Sequence, residues 1–165
     1  MAAVSHPLFG TLDPSAPGSW DATLTFEGRP VAVHLTIESS ELPLEAFQST
    51  LRFAEDVASL DGPARVALRR DLDQNEDSAV GWYTSHHLEE LSDATLLGLF
   101  AKVERETLDA DGFLAKMALV RIGLYPENAK RPVVFAYSLG THLTDYSLVV
   151  TFDSSGQASD VQLES

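Results

Sequence analysis

Near the start of the chain polar and apolar residues alternate one by one. Leu24 and Phe26 interleave with Thr23 and Thr25, and Val31, Val33, Leu35 and Ile37 interleave with Ala32, His34 and Thr36. A period of two sends successive side chains to opposite faces of a strand, so these runs, joined by a turn at Glu27 to Pro30, predict a β-hairpin with one face inward. From Pro43 the period lengthens. Leu44, Phe47, Leu51, Ala54 and Ala58 recur at three- and four-residue steps, Val57 and Leu60 widen the stripe, and Glu45, Arg52, Glu55 and Asp56 stand opposite. This is the pattern of an amphipathic helix of about four turns, with Pro43 placed early, where its missing N–H costs nothing.

"DGPARVALRRDL" predicts a shorter second helix opened by Asp61 and ended near Asp71, and "DQNED" is a polar break. A third helix begins near Asp77 and buries Val80, Tyr83, His87 or Leu88, and Leu91. Ser92 has the chemistry of an N-cap for a fourth helix, with Leu91 and Leu96 placed as a hydrophobic staple across it. Leu96, Leu97, Phe100, Val103 and Thr107 continue that helix until "DADG" stops it. Period two then returns in "KMALVRIGLYP", "RPVVFAYSLG", "DYSLVVTFD" and a weaker "ASDVQLES". The turns between these runs are too short for parallel crossovers, which predicts an antiparallel meander. The expected fold is therefore α+β: an antiparallel sheet made of the N-terminal hairpin and a C-terminal four-strand meander, with an inserted segment of about four helices, residues 42–108, packed on one face. Residues 1–19, punctuated by Pro7, Gly10, Pro14, Pro17 and Gly18, read as a loosely structured lead-in that Leu8 and Phe9 pin to the core. No repeat or linker divides the chain, so 1–165 is expected to be one domain.

Composition narrows the function classes. A chain of 165 residues, 44% hydrophobic and 22% charged, suits one core that removes about 70% of the unfolded surface from water. No apolar run reaches the roughly 18 residues of a membrane span, and the N-terminus lacks the basic start and apolar stretch of a signal peptide, so a cytoplasmic location is expected. The absence of cysteine excludes disulfides and thiolate metal sites. A formal charge of −14 repels nucleic-acid phosphates and anionic membranes, and favours either a basic partner or simple solubility. Glu41 to Asp111 holds 16 acidic and 6 basic residues, so −10 of that charge is local.

Three stretches carry candidate chemistry. In "HHLEEL" a helix brings His86 alongside Glu89 and Glu90, and His87 alongside Glu90, a spacing that a metal or acid-base site could use. The two histidines are adjacent, however, and diverge by about 100° around a helix, so both cannot face one ion. The architectural alternative puts His87 in the core beside Tyr83 and leaves His86 outside. "AYSLG" matches a small-x-Ser-x-Gly elbow, but a turn and a strand follow it and no histidine occurs after His142. Ser138 then reads as an outward strand residue and Gly140 as a turn residue. In "GTHLTDY", His142 and Asp145 could serve as a base and its orienter, although Thr and Asp in tight turns usually bond their own backbone. Trp20, Trp82 and Tyr83 could form an aromatic surface, but large aromatics more often belong to the core. No phosphate-binding glycine loop or basic stripe is present, and no cofactor is implied.

"HHLEEL" at 86–91, "LVRIGLYPE" at 119–127, "FAYSLGTHLTDYSLVVTFDSSG" at 135–156 and the N-terminal "LFGTL" together resemble a family of uncharacterised bacterial proteins, the domain of unknown function numbered two thousand and four. The likeness runs along nearly the whole chain in the same order. It implies no established activity, cofactor or catalytic residue. By analogy, small acidic proteins of this kind suggest toxin-neutralising or partner-binding modules.

The expectation is a non-enzymatic acidic interaction module of a bacterial cytoplasm, of immunity type, docking a basic protein through Glu55, Asp56, Glu76, Asp77, Glu89 and Glu90. The alternative is a small metal-dependent or acid-base enzyme using His86, Glu89 and Glu90, or His142 and Asp145. A third reading is a structural subunit whose final strand pairs with its own copy, so the expected state is monomer or homodimer.

Overall fold

The computed structural model describes residues 3–74, 77–101, 104–105 and 108–165. Its centre is a six-stranded sheet in the order β3-β4-β5-β6-β7-β8. β3 (Gly18–Phe26) and β4 (Arg29–Ile37) form the hairpin, β5 (Ala118–Leu124), β6 (Val133–Ser138), β7 (Ser147–Phe152) and β8 (Ala158–Glu164) form the meander, and among the described residues five helices lie between the two groups. The α+β class with a helical insert is thus what the sequence pattern predicts. The sheet departs from it at one joint: β4 and β5 are parallel, with Ala32 opposite Arg121 and Leu35 opposite Leu124. A long helical connection permits this, because it carries the chain back to the starting end of the sheet.

The inserted helices are α1 (Leu44–Glu55), α2 (Val57–Gln74), α3 (Ala79–Glu90), α4 (Asp93–Phe100) and α5 (Ala110–Lys116). The break between the first two falls at Asp56, whose backbone leaves the helical region (φ −130°, ψ 49°), not at Asp61. Val57, Leu60, Ala64 and Leu68 form one buried stripe, so helix continuity through Pro63 keeps them all on the core. Asp61 is no N-cap. It is buried, accepts the Tyr137 hydroxyl at 2.7 Å and pairs with Arg65 Nε at 3.1 Å. Arg65 also donates to the carbonyls of Leu114 and Met117, closing the end of α5. Burial, followed by the neighbouring Asp61, pushes the Tyr137 phenol far above its ordinary pKa, so it stays a neutral donor.

Ser92 caps α4 by accepting the Thr95 N–H at 3.2 Å, as its position predicts. The helix stops at Phe100, with Ala101 in the left-handed region at φ 56°. Val103 and Thr107, expected to continue it, lie outside the described residues, as does Glu76. "DADG" opens a helix instead of only ending one: Asp109 accepts the Gly112 N–H at 2.8 Å and starts α5. The lead-in is likewise more ordered than its composition suggests. β1 (Val4–His6) and β2 (Gly10–Leu12) pair as a two-stranded ribbon. Buried His6 accepts the Leu8 N–H on Nδ1 and turns Nε2 toward Glu55, 3.4 Å away.

The helices cover one face of the sheet. Val31, Val33, Leu35 and Ile37 of β4, Ile122 and Leu124 of β5, Phe135 of β6, and Leu148, Val150 and Phe152 of β7 join Phe47, Leu68, Val80, Tyr83, Leu96 and Phe113 in one contiguous core. Each such side chain contributes roughly 1.5–3 kcal/mol by its burial, so stability resides mainly on this side. On the opposite face Val134, Ala136 and Val149 form a small buried apolar island with Val120 and Tyr125 packed against it. No helix among the described residues is long and apolar enough to cross a membrane.

Candidate functional site

Two of the stretches that carry candidate chemistry meet in space. Ser78 accepts the Gly81 N–H and Asp71 the Val80 N–H, which together start α3. Tyr83 and His87, one helical turn apart, then point into the core while Trp82 and His86 share the neighbouring stripe. The loop between β6 and β7, residues 139–146, packs against both. His87 Nδ1 lies 2.6 Å from the Tyr83 carbonyl, which can only accept, so Nδ1 carries the proton. Nε2 is then the acceptor, and it takes the Thr144 hydroxyl at 2.8 Å. Thr144 Oγ1 in turn accepts the Tyr146 N–H at 3.0 Å. Burial holds the His87 pKa below the ordinary imidazole value, outweighing the bond to the Tyr83 carbonyl. The side chain is a neutral clamp with both nitrogens used.

Of the surrounding groups, Tyr83 and Ser138 are hydrogen-bonded as well. The Tyr83 hydroxyl accepts the Leu139 N–H at 3.0 Å. His86 stacks on Trp82 with ring centroids 4.5 Å apart and meets the Tyr146 ring at 5.1 Å. Trp82 is 40% exposed, so this aromatic is a surface residue and not part of the core. Ser138 is buried and accepts the Gly140 N–H at 3.0 Å, unlike the outward residue its strand position suggests. The His142 ring folds over Gly140, where a Cβ would stand 2.7 Å from it and where φ is 152°. Only glycine fits there. His142 and Asp145 are both exposed, and no bond joins them. Among the described residues no group of three or more His, Asp or Glu side chains stands where it could hold a metal ion.

The acidic residues expected to dock a partner are scattered. Glu55 and Asp56 sit at the α1–α2 break, with Glu55 facing His6. Asp77 precedes α3, while Glu89 and Glu90 are exposed at its far end. A 12-residue helix separates these ends by about 18 Å, too far for one compact charged patch.

A concavity of about 690 Å³ lies elsewhere, between the β4–α1 loop, α1 and the β5–β6 loop. Leu42, Pro43, Ala46, Phe53, Pro126 and Pro132 give it an apolar lining, and Glu41, Glu45 and Glu127 are its ionisable residues. Glu127 holds the walls together. Its carboxylate accepts the Glu38 N–H at 2.9 Å and the Ser39 N–H at 2.7 Å, tying the β5–β6 loop to the chain leaving β4. Within that loop Tyr125 N–H reaches the Pro132 carbonyl at 2.7 Å. Glu41 and Glu45 remain exposed at the rim.

Protein-family models, curated proteins and solved structures provide no match to this chain. The groove residues escape sequence reasoning because none is chemically conspicuous. The available signal was the turn cluster "PENAKRP", in which a glutamate inside a Pro- and Asn-rich loop finds its backbone donors 88 and 89 residues earlier.

Proposed function

We propose that the protein is a non-catalytic interaction module of the bacterial cytoplasm that seats a basic segment of a protein partner in the groove beside α1. The observation that carries this reading is the composition of the groove wall. An apolar floor is bordered by Glu41, Glu45 and Glu127, and neither lysine nor arginine lines it. A partner segment with one aliphatic or aromatic anchor flanked by Lys or Arg matches both features. Its anchor supplies most of the affinity and its charges speed and select the encounter. The surplus of −10 between Glu41 and Asp111 extends that attraction over a longer range. The likeness to the family named above adds no activity to this reading, and an immunity role is its most specific form: a toxin whose basic segment fills the groove loses activity.

Selection of random peptides against the immobilised protein tests the proposal. Enriched peptides should pair an apolar residue with Lys or Arg and should bind more weakly as salt rises. Ala46→Trp, which fills the groove, should abolish binding, and Glu41→Lys with Glu45→Lys should weaken it at least tenfold. Acidic or neutral peptides, or binding that survives Ala46→Trp, would overturn it.

A further inference from the structure

The open face of the sheet carries a second concavity, of about 250 Å³, lined by Arg121, Tyr125, Asn128, Arg131, Val134 and Glu164. Two guanidiniums meet here in a chain that has 11 Lys and Arg against 25 Asp and Glu. Arg121 has a carboxylate, Glu164, at 3.3 Å. Arg131 has none. Its side chain makes no hydrogen bond or ion pair with any described residue, and its Nε is buried without an acceptor. Arg131 is only half-buried, so the rest of its guanidinium faces the pocket, but an Nε buried without a bond carries a cost, and acidic residues are abundant enough in this chain to have supplied a partner.

The neighbouring groups are held in place for a ligand. A Cβ at Gly123 would lie 2.8 Å from the Tyr125 ring and 2.9 Å from its hydroxyl, so the absence of a side chain there lets Tyr125 lie across the sheet. Asn128 Oδ1 accepts the backbone N–H groups of Lys130 and Arg131, which fixes the loop and leaves the amide nitrogen without a partner among the described residues. Two arginines against one glutamate leave a single positive charge.

We infer that this pocket binds a small monoanionic carboxylate, with the Arg131 guanidinium taking its two oxygens as a fork and Tyr125 and Val134 covering its apolar body. A guanidinium matches a carboxylate edge to edge. The charge balance favours one negative charge over two, and the volume lies just under the roughly 300–1,000 Å³ of drug-sized sites, which points to a small molecule. The pocket shares Asn128 with the wall of the groove, but the inference does not rest on what the groove binds.

Titration of the full chain with sodium benzoate, followed by amide NMR, tests it, with sodium chloride at matched concentration as control and inorganic phosphate as the dianion arm. Benzoate should produce saturable shifts at Gly123, Asn128, Arg131 and Val134, and phosphate should bind severalfold more weakly. Arg131→Gln should lower benzoate affinity at least tenfold with a melting temperature unchanged or raised, because that side chain makes no hydrogen bond or ion pair that the change would remove. Arg131→Lys, which keeps the charge but not the fork, should lose affinity severalfold. Shifts that do not saturate, that chloride reproduces, or that persist in both variants would overturn the assignment. A large fall in melting temperature for Arg131→Gln would overturn it too, by showing that the side chain is structural.

Discussion

In the patch between α3 and the β6–β7 loop the buried His87 and Tyr83 are already hydrogen-bonded, whereas the groove beside α1 is lined by prolines, alanine and phenylalanine and leaves two rim glutamates exposed. His87 looks like a base but donates through one nitrogen and accepts through the other. Glu41 and Glu45 look ordinary and face solvent beside an apolar floor. The difference teaches that a residue's chemical type says less about its role than whether its hydrogen-bonding capacity is spent.

That contrast predicts opposite mutational signatures. The largest effect should come from His87→Ala, which removes two hydrogen bonds, opens a cavity and strands the Thr144 hydroxyl; urea denaturation should show a loss of about 2–4 kcal/mol. Thr144→Val should cost about 1–2 kcal/mol, and the double variant should cost less than the sum of the two, since one bond is shared. A fully additive pair would break the clamp assignment. Groove-peptide affinity should be unaffected by either change.

A smaller effect is expected from pH. The folded chain resists protonating His87, while the unfolded chain takes that proton near pH 6.5. Stability from this group is therefore complete above about pH 6.5 and lost as pH falls toward the depressed folded value. The stability gap between wild type and His87→Ala should narrow from pH 7.5 to pH 5.5. A gap that widens would mean the imidazole is charged in the fold. The smallest effect belongs to the groove rim: Glu41→Gln and Glu45→Gln should each change stability by less than about 0.5 kcal/mol, as measured by the same denaturation, while weakening peptide binding. A destabilised rim would show that these glutamates serve the fold.

How far the sequence reveals this molecule depends on the range of the interaction. Alternation in residues 23–37 and again in the C-terminal third reports local backbone geometry, and the hairpin and meander follow from it. Ser92 as a cap is legible because its partner, Thr95, is three residues away. The α1–α2 boundary is misplaced because "DGP" resembles a helix start, while the residue that claims the Asp61 carboxylate, Tyr137, is 76 positions distant. The parallel β4–β5 joint is set by a pairing across the entire helical insert and leaves no local trace. The histidines stand out as residue types, but the bond that consumes His87 reaches 57 residues along the chain. Charge counting identified an acidic region, but not that its members would be divided between the two ends of α3 and the α1–α2 break.

The most direct test of the central claim is an amide-resolved NMR titration of the wild-type chain with a synthetic peptide bearing one leucine flanked by arginines. Salt-sensitive, saturable shifts confined to residues 41–53 and 126–132 are expected, with 82–90 and 140–146 unmoved. Shifts centred on His86, Glu89 and Glu90, or on His142 and Asp145, would contradict that claim.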